Sequence, residues 1–167
     1  MATKFSEVYN LFLAKVTDDM YMELTIEDTK KLLQDLLIAS IFKFEFPRVD
    51  LTEYKEIDGE MSFVADVSVE EQNILATYMV VEWIGQQLAS VEMTRLKYSG
   101  SDFKFTSQAN HLQKLLTLKQ DYEREGFHLQ RLYKRRLAND KGIMESTFDT
   151  IMEASFNRNE GGPLHWR

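Results

Sequence analysis

The sequence predicts a mainly α-helical fold: a helical bundle built on a long antiparallel helical hairpin, with a small β-hairpin insertion and an extended C-terminal tail. Only two prolines and seven glycines interrupt its 167 residues, and so few breaks favour long helices. Two stretches, 69–96 and 107–137, keep apolar residues at helical spacing over many turns. Between two alternating runs, Asp58-Gly59 is typical of a two-residue hairpin turn.

The chain divides in this prediction into a helical domain, 1–139, and a docking tail, 140–167. The first helix is expected at Phe5–Lys15, with Ser6 as its N-cap. The second helix is expected to begin after Thr25, where Asp28 takes the acidic place of a capping box.

Three phenylalanines then alternate with charged residues until Pro47 ends the segment. The alternating set is Phe42, Phe44 and Phe46. Period-two spacing next to a proline predicts either a short strand or a strained helix end.

The β-hairpin is predicted near residues 52–65, with Tyr54 directly opposite Phe63 and Met61 on the same face. A lone two-stranded hairpin is marginal in water, so Tyr54 and Phe63 are expected to contact the helices or a neighbouring subunit. The opposite face is expected to be wet. Its members are Glu53, Lys55, Glu60 and Ser62.

The third helix is predicted to open at the capping box of Ser68 and Glu71. Residues 74–84 are apolar on almost every side, so more than one face must be covered, by the bundle or by a partner. In the fourth helix, Gly126 marks either a bend or a close approach of helices. We assign a subunit interface to both helices. Its predicted residues are Tyr78, Val81, Trp83, Arg131, Lys134 and Arg135.

The tail is predicted to hold a turn at 140–142, a short amphipathic helix at 147–156 and an extended end. Apolar anchors on such a segment suit docking into a groove on another protein, or onto the chain's own bundle. The predicted docking residues are Phe148, Ile151, Phe156, Leu164 and Trp166.

Charge is unevenly distributed in a chain whose net charge is −7. Residues 1–103 carry 9 basic and 19 acidic side chains, whereas residues 104–137 carry 8 basic and 3 acidic ones. This division can steer identical subunits into head-to-tail contact, or it marks two oppositely charged solvated faces. The absence of cysteine excludes disulfides and thiolate metal sites. Without a signal-peptide core or a long apolar run, no membrane association is expected.

Catalytic motifs are not found, and neither a catalytic residue nor a cofactor is expected. Glu125 and His128 have the Glu-x-x-His spacing of a di-iron bundle, and Glu82 is a further candidate. The ligand set is incomplete, so a helical-bundle metalloenzyme stays an alternative only. A basic end of the fourth helix offers a second alternative, a DNA-reading regulator, although a sequence pI near 5.0 opposes it. Its residues are Arg131, Lys134, Arg135 and Arg136.

Two segments carry a resemblance to a known family. They read VEEQNILATYMVVEWIGQQLASVEMTRLKYSGSDFKFTSQANHLQKLL and HLQRLYKRR. Together they resemble the neck proteins of tailed bacteriophages, in particular the head–tail connector adaptors that bind under the portal. Such proteins place two long helices around a break of small and polar residues, here 98–106.

The resemblance implies a structural virion protein without enzymatic activity, made in the host cytoplasm and located in the neck. Its subunits would form a homo-oligomeric ring, often of twelve, that continues the DNA channel from the portal to the next neck or tail component. DNA would pass without sequence-specific binding. The tail would grip the portal through Phe148, Phe156, Leu164 and Trp166. The hairpin and the N-terminus are not part of this pattern, so another neck protein, for head completion or tail joining, stays open.

Overall fold

The computed structural model describes residues 2–16, 25–97, 105–138 and 144–146. They fall into two compact units, unit 1 (1–130) and unit 2 (131–167). The elements in chain order are α1 (Phe5–Lys15), α2 (Ile26–Ile41), β1 (Tyr54–Ile57), β2 (Glu60–Phe63), α3 (Val69–Lys97), α4 (Phe105–Arg135), β3 (Arg136–Ala138) and β4 (Met144–Ser146). A mainly helical fold with a small antiparallel hairpin is therefore confirmed.

Helix α1 has the predicted bounds, but its N-cap is Lys4 and not Ser6. Lys4 has the extended backbone of a cap, and its side chain makes no capping bond. The carboxylate of Glu7 accepts the Lys4 N–H instead, at 3.3 Å. An acidic side chain in the first turn of a helix can thus accept the free backbone N–H of the N-cap residue. A search for a Ser or Thr cap does not detect this arrangement.

Helix α2 begins as predicted, because the Thr25 hydroxyl accepts the Asp28 N–H at 3.1 Å. The phenylalanine segment after it is not a strand. The Lys43 N–H bonds to the carbonyl of Ser40 at 3.0 Å, and the chain turns there. Phe44 is buried while Phe42 is 80% exposed, so the alternation reflects a tightened helix end followed by a turn.

The β-hairpin has the predicted register, with Tyr54 opposite Phe63. Asp58 and Gly59 both have positive φ, 53° and 78°, as a type I′ turn requires. The ring of Phe5 lies 4.6 Å from Phe63 and 5.6 Å from Tyr54, measured between centroids. The hairpin therefore packs on α1 of the same chain.

The face of the hairpin opposite to Tyr54 and Phe63 is not uniformly exposed to solvent, because Ser62 is only 1% exposed. The N-terminal residues lie beside β2, and Lys4 forms a β-bridge with Ser62. The Thr3 carbonyl accepts the Phe63 N–H at 2.8 Å, and the Thr3 hydroxyl accepts the Val67 N–H at 2.8 Å. The prediction for Ser62 was wrong because nothing in the alternating pattern shows a third segment pairing at this edge.

Helix α3 begins at the predicted capping box. The Ser68 N–H donates to the Glu71 carboxylate at 3.0 Å, and the Glu71 N–H donates to the Ser68 hydroxyl at 3.3 Å. Most residues from 74 to 84 are buried, and α3 packs against both α1 and α2. Two faces of this apolar stretch are thus covered within the chain.

In unit 2, the described residues form the end of α4 and a short antiparallel ladder. Arg136 pairs with Ser146, and Ala138 with Met144. These strands were not predicted from the sequence, since three-residue segments show no usable alternation. The turn predicted at 140–142 and the helix at 147–156 lie outside the described residues.

Candidate interaction surfaces

The predicted interface residues of α3 lie in two different environments. Tyr78 and Val81 are buried within unit 1, so their assignment to a subunit interface is corrected: the chain itself encloses them. Trp83 is partly exposed. Its indole N–H is buried and has no hydrogen-bond acceptor among the residues that the structure describes, so an interface role for Trp83 stays a prediction.

The predicted interface residues of α4 are exposed. They are Arg131, Lys134 and Arg135, and Arg136 follows them in β3, also exposed. All five predicted docking residues of the tail lie outside the described residues: Phe148, Ile151, Phe156, Leu164 and Trp166.

Helices α3 and α4 approach closely at Gly126. A Cβ atom there would lie 2.8 Å from Cζ of Tyr78 and 2.9 Å from its Cε1, closer than carbon atoms pack. Seven residues further along α3, a Cβ at Gly85 would lie 3.9 Å from the Lys119 side chain. Position 78 thus faces 126 and position 85 faces 119, so these stretches run antiparallel. Of the two predicted roles for Gly126, the close approach is confirmed.

The amide of Gln130 joins three parts of unit 1 and is only 1% exposed. Its Nε2 donates to the Lys43 carbonyl at 3.0 Å and to the Tyr78 hydroxyl, while its Oε1 accepts the Glu45 N–H at 2.8 Å. Burial raises the pKa of Tyr78, the bond from Gln130 lowers it, and the charges of Glu45 and Glu123 raise it further. Every polar atom of the amide is used, so Gln130 fixes the position of α4 on the turn after α2.

Charged side chains surround this contact. Lys43 Nζ lies 3.0 Å from Oε1 of Glu82 and 4.0 Å from Oε1 of Glu123, and Lys119 lies 3.8 Å from Glu123. All are partly exposed, so each pair contributes little to stability, on the order of 0–1 kcal/mol. Glu82 is therefore the partner of a lysine.

The metal-site candidates do not form a cluster. Glu125 and His128 are exposed, and Glu82 lies beside Lys43. Within the described ranges, no group of three or more His, Asp or Glu side chains is placed to hold a metal ion.

A cleft of about 320 Å³ opens between α1, α2 and the hairpin. Its lining comprises Phe5, Ser6, Tyr9, Lys30, Gln34, Glu56, Gly59, Glu60 and Met61. Burial, and then the charge of Asp35, raises the pKa of Tyr9, so its hydroxyl keeps the proton at physiological pH. The cleft could not be predicted from the sequence, because its lining comes from three separate segments.

Much of α4 contributes little to the core. Between residues 110 and 130 only Gly126 and Gln130 are buried, although apolar residues recur along the helix. Leu116 is 42% exposed, Leu118 43% and Phe127 48%. Leu116 and Phe127 are eleven positions apart and share one face of the helix, whereas Leu118, two positions after Leu116, lies on another face. We call Leu116 and Phe127 the α4 apolar edge. Exposed apolar groups grouped on one element mark a surface that another molecule can cover.

Comparison with known proteins gives no match: neither a family model, nor a curated protein, nor a solved structure is similar to this chain. In the part of the chain that the structure describes, no helix is both long and apolar enough to cross a membrane.

Proposed function

We propose that this protein is a structural subunit of a tailed-bacteriophage neck, a ring-forming head–tail connector that binds the portal and continues the DNA channel. The observation that carries the proposal is the α4 apolar edge. Only two of the 21 positions from 110 to 130 in this helix are buried, which is poorly explained by the fold of one subunit. It is well explained by a second protein surface laid along the helix.

The course of the two long helices belongs to the same proposal. Positions 78 and 85 of α3 face 126 and 119 of α4, and we infer that this antiparallel course continues to the far ends of both helices. The resemblance to connector adaptors covers this part of the chain. A long two-helix arm would give neighbouring subunits a surface along which to pack.

Charge gives further support. Acidic side chains predominate in residues 1–103 and basic ones in residues 104–137. Opposite charges on different surfaces of one subunit favour a heterologous contact, which closes into a ring when the rotation between neighbours permits.

The test is assembly of the purified chain, alone and with a portal protein, followed by electron microscopy and mass photometry. A ring of uniform size that binds portal is expected. A double variant, Leu116→Gln with Phe127→Gln, should lose assembly while keeping its helix content by circular dichroism. The matched control is Asn110→Ala with Thr117→Ala, two exposed positions on another face of the same helix, and it should assemble normally.

The outcomes separate the neck roles. A chain that stays monomeric at high concentration and does not bind portal would refute the connector proposal. A ring that binds a tail component but not portal would assign the chain to head completion or tail joining.

A further inference from the structure

The cleft in unit 1 combines an aromatic wall with carboxylates. Phe5 and Tyr9 lie side by side, with ring centroids 6.2 Å apart. Phe5 is only 1% exposed, so the accessible ring is that of Tyr9, and Met61 adds an apolar side chain. Glu56 stands opposite Met61 in the hairpin, so both belong to the same face. This arrangement suits a side chain with an apolar stem and a positive head, which packs along Tyr9 and ends at a carboxylate.

The two carboxylates of the cleft differ in availability. Glu60 lies 3.1 Å from the ammonium of Lys4. Glu56 is exposed and forms no ion pair with any residue in the described ranges. Lys30 lines another part of the cleft. Glu56 is therefore the group that an incoming cation would meet.

The surroundings of the cleft keep an acidic balance. Five acidic side chains lie on the hairpin or beside the cleft: Asp35, Glu53, Glu56, Asp58 and Glu60. Three basic ones accompany them: Lys4, Lys30 and Lys55. A positively charged surface is thus attracted, and it is attracted less at high salt.

This chain itself supplies a surface of the complementary sign. Arg131, Lys134 and Arg135 are exposed within two turns at the end of α4. We propose that the cleft between α1, α2 and the hairpin receives one of these basic side chains from a second copy of the chain. The inference rests on the proposed function, and it names the two surfaces that meet in the ring.

A contact of this kind joins different surfaces of identical subunits. Each copy presents one cleft and one basic helix end, so every copy can bind two neighbours, as a ring requires. An arginine is favoured as the inserted residue, because its planar cation stacks on aromatic rings and pairs with carboxylates.

The experiment is a charge exchange in the full chain. One variant carries Glu56→Lys and Glu60→Lys, the two carboxylates of the cleft, and the other carries Arg131→Glu and Arg135→Glu. Each alone should self-associate roughly tenfold or more weakly than the original chain, because like charges now meet. An equimolar mixture should recover assembly, because every contact between the two variants again pairs opposite charges.

The matched control is Asp121→Lys with Glu125→Lys. It changes the net charge by the same amount as the hairpin variant, but on exposed positions of α4. It should leave self-association intact. Circular dichroism of all variants confirms that the fold is kept.

The results distinguish this inference from the proposed function. If the hairpin variant assembles as well as the original chain, or if mixing restores nothing, the cleft contact is refuted while the ring stands. If the hairpin variant forms rings but no longer binds portal, the cleft receives the portal and not a second copy. If the original chain never assembles at any salt concentration, both proposals fail.

Discussion

Replacement of Gly126 by alanine should destabilise unit 1, although it removes a poor helix former from the interior of α4. The added methyl group would meet the Tyr78 ring at 2.8 Å from Cζ and 2.9 Å from Cε1. That ring has little freedom to move, because it is buried and its hydroxyl is hydrogen-bonded by Gln130. Steric conflict and helix propensity therefore act in opposite directions at this position.

The magnitude follows from these two effects. Glycine in a helix interior costs about 0.5–1 kcal/mol relative to alanine, and overpacking a closed site costs about 1–3 kcal/mol. Gly85 isolates the first effect, since a Cβ there meets only the Lys119 side chain at 3.9 Å. The Gly85→Ala variant should thus be more stable than the original chain. The Gly126→Ala variant should be about 1–3 kcal/mol less stable than Gly85→Ala.

The assay is equilibrium unfolding in urea, with the free energy of unfolding compared among variants by linear extrapolation. A second background tests the cause. In a Tyr78→Leu chain the ring is absent, so Gly126→Ala should no longer destabilise and should show only its gain in helix propensity. Equal stabilisation by both glycine replacements in the original chain would refute the close approach of the two helices.

Three further predictions concern single polar groups. Gln130→Leu should lower the free energy of unfolding by about 1–3 kcal/mol, because the backbone groups that it bonds lose their partner; urea unfolding measures the loss. Tyr9→Phe should reduce the loss of stability above pH 10, since the raised pKa of Tyr9 means that the folded state holds the proton more tightly and stability falls as pH rises; unfolding midpoints over an alkaline series test this. Thr52→Val should raise the pKa of Asp50, which the Thr52 hydroxyl, at 2.6 Å, and then backbone bonds hold below its usual value. A carboxyl NMR titration follows it, and an unchanged pKa would contradict the cause. Because the pKa of Asp50 is lowered in the folded state, its ionised carboxylate stabilises the fold at pH values above the usual aspartate range. This stabilisation is lost as the pH falls through the folded-state pKa.

The sequence predicted the starts of helices and the hairpin turn correctly where all the residues that form the cap or the turn are close neighbours in the chain. The Thr25 cap, the Ser68–Glu71 box and the Asp58-Gly59 turn each need only neighbouring residues, and all three are confirmed. Register followed from the turn, because a two-residue loop leaves one pairing for Tyr54 and Phe63.

Contacts between distant segments could not be predicted in the same way. Gln130 bonds to the backbone of Lys43 and Glu45, more than 80 positions away, and any exposed glutamine has the same local pattern. Tyr78 and Val81 were assigned to an interface because an apolar helix needs cover, and the sequence does not say that the same chain supplies it. The lining of the cleft could not be predicted for the same reason, because its residues come from segments that are distant in the sequence.

The pairing of Thr3 with β2 has a consequence for the order of folding during synthesis. Thr3 bonds to Phe63 and Val67, so these bonds cannot form until some 60 further residues have been made. At about 5–20 residues per second, the N-terminal residues wait roughly 3–12 seconds for their partners. Helix α1 and the hairpin are thus locked together only when the start of α3 is leaving the ribosome, which is before Gln130 can bond to Lys43 and Glu45.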